Sequence, residues 1–174
     1  IAGMTTSDMF NEAMKYIDGE GVKKDVPRGM QLLEVAASNG HIMAQFNMGL
    51  MYYQGTDIPQ DFAKARTWFQ RAADAGNPRA RYNLAVMEYR GEGAEVNFAK
   101  ALSLFTQSAK QGFPQAAFNL GVMYAKGEGT KRSNLEAFAW FTIAGEEGDQ
   151  RAEQILKDVM NRMTDDEKKL ATKH

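Results

Sequence analysis

Residues 116–129 read AAFNLGVMYAKGEG. The same pattern stands 36 residues earlier as ARYNLAVMEYRGEG at 80–93, again as AQFNMGLMYYQGTD at 44–57, and as DMFNEAMKYIDGEG at 8–21. Four columns share that spacing: Ala44, Ala80, Ala116 and Ala152; Gly19, Gly55, Gly91 and Gly127; Gly40, Gly76, Gly112 and Gly148; Asn11, Asn47, Asn83 and Asn119. A fixed period of this length marks a repeat architecture, in which each unit hides its apolar stripe against its neighbours. The spacing predicts repeats at 8–43, 44–79, 80–115 and 116–151, followed by a tail from 152 to 174.

Each repeat reads as two helices. In the third, Asn77 and Pro78 suit a helix start, because Asn caps free amides and Pro lacks the N–H that would go unpaired there. Ala80, Leu84 and Met87 then recur at helical spacing, and Gly91-Glu92-Gly93 ends the helix. Asn97 and its counterparts Asp25, Asp61 and Ser133 are N-cap types for the second helix, which carries Ala101, Phe105 and Ala109 and ends at Gly112. Small residues recur at Ala13, Gly49, Ala85 and Gly121, and at Gly29, Ala65, Ala101 and Ala137. Large ones recur at Leu33, Phe69, Phe105 and Phe141, a pattern for close helix packing. The tail predicts a helix over 152–163, then a capping box at Thr164-Asp165-Asp166-Glu167 opening a last helix with Lys168, Lys169 and Lys173 facing water. Glu12, where the other repeats have Met48, Leu84 and Leu120, suits an exposed terminal repeat. The fold class is all-α, an α/α solenoid with a C-terminal capping helix pair.

The stretch 116–124 followed by Gly127-Glu128-Gly129, together with Lys64 to Ala73 and Gly76, resembles the Sel1-like repeat, a cousin of the tetratricopeptide repeat. The resemblance covers nearly the whole chain. It implies a right-handed solenoid, one of the helical arrays that act as adaptors, scaffolds or regulatory partners with no shared substrate, and a bacterial-type regulatory, envelope or immunity role. A cysteine-rich branch is excluded, since the chain has no cysteine. Two positions depart from the pattern. Asp57 replaces the glycine of the other turns, and Asp tolerates left-handed backbone better than most residues. Glu88 replaces Tyr16, Tyr52 and Tyr124, which makes it either a packing defect or a polar site.

The chemistry-bearing residues are few. Histidine occurs only at His41 and His174, neither beside a nucleophile at a motif spacing, and His41 follows a helix-ending glycine as a surface turn residue would. The glycine turns lack the preceding strand and the Lys-Ser/Thr pair of a phosphate loop. No catalytic residue, metal ligand or cofactor is assigned. A net charge of -1 offers no field for nucleic acid, and no apolar run has the length of a membrane span. If Met4 is the native start the chain is cytoplasmic, with Ile1 to Gly3 foreign; if a signal peptide was removed it is periplasmic or secreted.

By the resemblance to tetratricopeptide stacks, the first helices line a concave face. Repeat one contributes Phe10, Met14 and Ile17. The partner-binding set is Phe46, Leu50 and Tyr53, then Tyr82, Val86, Tyr89 and Arg90, then Phe118, Val122 and Lys126. Aromatics and Arg dominate interface hot spots. Tyr53, Tyr89, Arg90 and Lys126, near helix ends, are the members expected to be exposed, while Phe46, Tyr82 and Phe118 share a column that could fill core. Asn47, Asn83 and Asn119 either bond backbone of a neighbouring helix or loop, or clamp a bound peptide. The function expected is a monomeric protein- or peptide-binding module. The alternatives are small-ligand or enzymatic use of the groove, and a structural spacer.

Overall fold

A computed structural model describes residues 3–172; Lys173 and His174 lie outside the described residues. Those residues form ten helices and no strand: α1 (Thr6–Asp18), α2 (Val26–Ser38), α3 (Ile42–Gln54), α4 (Phe62–Asp74), α5 (Pro78–Arg90), α6 (Phe98–Lys110), α7 (Pro114–Lys126), α8 (Asn134–Glu146), α9 (Ala152–Arg162) and α10 (Asp165–Thr172). The contacts divide the chain into two units, Ile1–Leu84 with Glu92–Ala94, and Ala85–Gly91 with Glu95–His174. The expected all-α class of paired-helix repeats is what the chain adopts.

Local chemistry sets the helix boundaries. The four expected N-caps of the second helices each accept the amide three residues on: Asp25 from Arg28, Asp61 from Lys64, Asn97 from Lys100 and Ser133 from Glu136. The backbone amide of each cap also donates to the preceding first helix, at the carbonyls of Tyr16, Tyr52, Glu88 and Tyr124, over 2.8–2.9 Å. This rivet uses backbone alone, so it survives where Glu88 replaces tyrosine. The first helices vary more at their starts. Thr5 forms a capping box with Asp8, Asn77 accepts from Ala80, and Phe113 provides no side-chain cap but is followed by Pro114. In the tail, Thr164 and Glu167 exchange the two bonds of a capping box at the start of α10.

Within the first unit, Met9, Ala13, Ile17, Leu33, Ala37 and Met48 share one core. Within the second, Ala137 and Phe141 of α8 pack with Val159 and Met163 of the tail. The small-large alternation has a direct geometric meaning. A Cβ on Gly49 would stand 2.5 Å from the Phe69 ring, and one on Gly121 would stand 2.5 Å from the Phe141 ring. Real Cβ contacts are never that short, so glycine is what lets these rings reach the neighbouring helix.

Three local expectations are corrected. Asp57 does not adopt left-handed backbone: among the described residues only glycines have positive φ, including Gly21, Gly93 and Gly129 at the equivalent turns. The second repeat's turn takes another path, and the Asp57 carboxylate accepts from Lys24 at 3.0 Å. His41 is no plain surface residue. Its Nδ1 accepts the Ala44 amide at 3.0 Å as the cap of α3, and its ring stacks on Phe10 with centroids 4.7 Å apart. Asn47 donates to the Met43 carbonyl of its own helix, not to a neighbour.

Candidate functional site

The residues expected to line an interaction face divide by environment. In the first unit Phe46 is core, 5% exposed and against Phe69. Leu50, Tyr53 and Tyr82 are half-buried. Of the repeat-one candidates, Ile17 is buried, while Phe10 and Met14 are half-buried. Tyr53 was expected to be open at a helix end. Instead its ring packs on Phe62, and its hydroxyl donates to the Glu92 carboxylate at 2.9–3.0 Å.

In the second unit Tyr89 repeats that arrangement. Its ring lies 5.2 Å from Phe98, and its hydroxyl donates to Glu128 at 2.7 Å. Burial, the hydrogen bond to Glu128 and that carboxylate's charge, in that order, push the Tyr89 pKa up to about 12. Both tyrosines reach the glutamate of a turn 39 residues on. The physical reason is simple: a phenol at a half-buried helix end needs a partner, and the Gly-Glu-Gly turn of the next repeat supplies one. The recurrence of Glu92 and Glu128 at the repeat spacing was the available signal.

Phe118 is also engaged. It packs on Phe141 at 5.2 Å, and the Arg151 guanidinium lies 3.8 Å above its ring centre. Asp149 holds that arginine through two side-chain bonds, 3.0 Å to Nε and 2.7 Å to Nη2. The hydrogen bonds from Arg151 keep the Asp149 carboxyl below its ordinary pKa, against the opposing effect of burial.

Arg90 and Lys126 differ from the rest of the set. Both are exposed, and among the described residues neither has an ion-pair partner. Each closes its helix, where the carbonyl dipole tolerates a cation. Val86 and Val122, both half-buried, stand four residues before them on the same helix faces. The second unit therefore presents two copies of an apolar residue followed one turn later by an unpaired cation. Glu128, two residues beyond Lys126, accepts the Tyr89 hydroxyl.

Glu88 is a buried polar group rather than a defect. It is 2% exposed and pairs with Lys100 at 3.4 Å. The same column explains the choice. Arg28 lies 4.6 Å over the Tyr16 ring and Lys64 lies 5.2 Å over the Tyr52 ring. Replacing the ring with a carboxylate turns a cation–π contact into an ion pair with the cation kept in place.

The Sel1 repeat family model matches residues 10–41, 42–77, 78–113 and 114–149, a frame about two residues from the one read off the sequence. Among solved structures, a Sel1 repeat protein from Oxalobacter formigenes superposes with a TM-score of 0.84 at 28% identity, covering 88% of this chain and 63% of that one. A protective antigen of uropathogenic Escherichia coli with an SLR fold gives 0.81 at 31% identity, covering 85% of this chain and 32% of that one. The chain thus spans less than two thirds of either relative. The Helicobacter pylori cysteine-rich protein B shares the fold, with a TM-score of 0.60 at 19% identity, covering 79% of this chain and 99% of that one. No curated protein matches the chain. Among the described residues no helix is long and apolar enough to cross a membrane.

Proposed function

Because this chain belongs to the Sel1 repeat family, a generally non-enzymatic scaffold fold whose members generally mediate protein–protein interaction, we propose that it is an adaptor that binds an acidic segment of a partner protein along the first helices of its second unit. Arg90 and Lys126 are the charged contacts, and Val86 and Val122 supply the apolar ones. The observation that carries this reading is that Arg90 and Lys126, both exposed, have no ion-pair partner among the described residues. An acidic side chain or a terminal carboxylate can take charge-assisted bonds from both.

The test is affinity capture from a lysate of the source organism, comparing the wild-type chain with the Arg90→Glu, Lys126→Glu double variant by quantitative mass spectrometry. Both residues are exposed, so helical circular dichroism should be unchanged. The reading expects a captured protein depleted about tenfold by the double variant, the size of effect expected for losing charged interface contacts. Equal capture by both chains would refute it.

A further inference from the structure

Matching columns of the second helices are polar in the first three repeats apart from Val35, and change character in the fourth. They read Arg28, Gln31 and Val35 on α2, Lys64, Thr67 and Arg71 on α4, and Lys100, Ser103 and Gln107 on α6. On α8 the same columns are Glu136, Ala139 and Ile143. The helix contains no lysine or arginine, and its apolar residues are not confined to one face as they are on α4 and α6, so Ala139 and Ile143 stand among the glutamates of its outer side. Apolar surface of this kind gains from a cover. Part of that cover is α10, whose Ala171 packs with Leu135 and Phe138 against the local core. Ala139 and Ile143 are outside that cluster. They line an open groove of about 500 Å³ with Leu170 of α10, which is 50% exposed.

Charge decides what fits. Glu136 and Glu146 line this groove, and ten residues of helix place them about 15 Å apart. Neither has an ion-pair partner among the described residues. In the first two repeats a cation of the chain itself sits over the tyrosine of this column pair. The fourth repeat keeps the ring, Tyr124, and has Glu136 where the cation stands. That column therefore carries a negative charge in the fourth repeat, which suits a positively charged occupant.

We propose that α8 and α10 form a second docking surface, for a basic amphipathic helix of another protein. Its apolar side chains, at helical spacing, would fill the groove over Ala139 and Ile143, and lysines or arginines toward its ends would meet Glu136 and Glu146. A second copy of this chain fits less well. Two α8 helices would bring like charges together, and the basic faces of α4 and α6 carry Thr67 and Ser103 where apolar groups are needed.

The probe is a fluorescein-labelled peptide of leucine and lysine, about four helical turns long, with leucines on one face. Its controls are a scrambled peptide of the same composition and a peptide with glutamate for each lysine. Fluorescence anisotropy should show the patterned basic peptide binding more tightly than both. Ile143→Asp should weaken it about tenfold or more, as truncating a buried interface anchor does. Ala139→Glu, at an exposed position that cannot unfold the chain by burying a charge, should do the same. Glu136→Lys with Glu146→Lys should reverse the preference toward the acidic peptide. Arg90→Glu with Lys126→Glu should leave it unchanged, which separates this surface from the one above. Equal binding of the scrambled peptide, no binding, or no effect of Ala139→Glu would overturn the proposal. So would a concentration-dependent dimer in sedimentation equilibrium that Ala139→Glu dissociates, since that assigns the groove to a second copy.

Discussion

Replacing Gly121 is the sharpest test of the packing. A Cβ there would meet Cε1, Cδ1 and Cγ of Phe141 at 2.5, 2.6 and 2.8 Å. Ordinary carbon contacts lie at about 3.5–4.0 Å, so the ring must retreat by about 1 Å to admit a single methyl group. Phe141 is fully buried and has no free direction. Overpacking of this kind costs about 1–3 kcal/mol. For Gly121→Ala, about 1 kcal/mol of improved helix propensity offsets part of that, leaving a net loss of about 0–2 kcal/mol. Ala85, which occupies the same column with Phe105 buried in its own repeat, places the alanine variant toward the low end. Gly121→Leu adds three more carbons with nowhere to go and should exceed about 3 kcal/mol. The assay is urea unfolding followed by circular dichroism, with Phe141→Ala as the second arm of a cycle. Phe141→Ala alone should cost about 3–5 kcal/mol, and the double variant should cost at least about 1 kcal/mol less than the sum, because leucine fills the vacated space. Strict additivity, or wild-type stability of Gly121→Leu, would refute the contact.

Other expectations follow from single contacts. Tyr89→Phe should cost about 1–3 kcal/mol by removing a bond to a charged acceptor and leaving Glu128 without it. The folded chain holds the Tyr89 proton up to about pH 12, whereas the unfolded chain releases it near pH 10. Wild-type stability should therefore fall as pH rises through that window, and melts at high pH should be flatter for the phenylalanine variant. Asp149 has the opposite sign. Its folded pKa is depressed, so its contribution is present above the ordinary carboxyl range and lost as pH falls through the folded value. Asp149→Asn should lower the neutral-pH melting temperature and weaken its decline in acid. His41→Ala should cost about 1 kcal/mol through the lost cap, while His41→Asn should restore most of it, as Asn77 caps the next first helix; equal melting temperatures for the two variants would remove the capping role.

The repeat, its helix pairs and its second-helix caps were legible because each depends on residues close in sequence and recurring at one spacing. Gly121 and Phe141 were legible as a small and a large column, though their 2.5 Å approach was not. The tyrosines were misread because periodicity reports which residues share an environment, not which ends meet across it. Tyr89 and Glu128 belong to different columns, and only the fold brings the phenol to the turn. His41 was misread because imidazole is an uncommon cap, and its role depends on the ring standing over Phe10. At Asp57, tolerance of left-handed backbone gave the wrong outcome, because a residue with a Cβ takes the cheaper negative φ while Gly55 and the Asp61 cap keep the two ends of the turn. The column of Phe118 gave no sign of Arg151, which covers its ring from the last position of the fourth repeat.

The claim that the exposed cations of the second unit mark a partner surface is tested most directly by photo-crosslinking. A benzoylphenylalanine is placed at Val122, four residues before Lys126, or at Gln107 on the outward face of α6, and each chain is irradiated in lysate. The account predicts a discrete protein adduct from position 122 that disappears when Arg90→Glu and Lys126→Glu are added, with little from position 107. Adducts that persist after the charge reversal, or that form from position 107 alone, would contradict it.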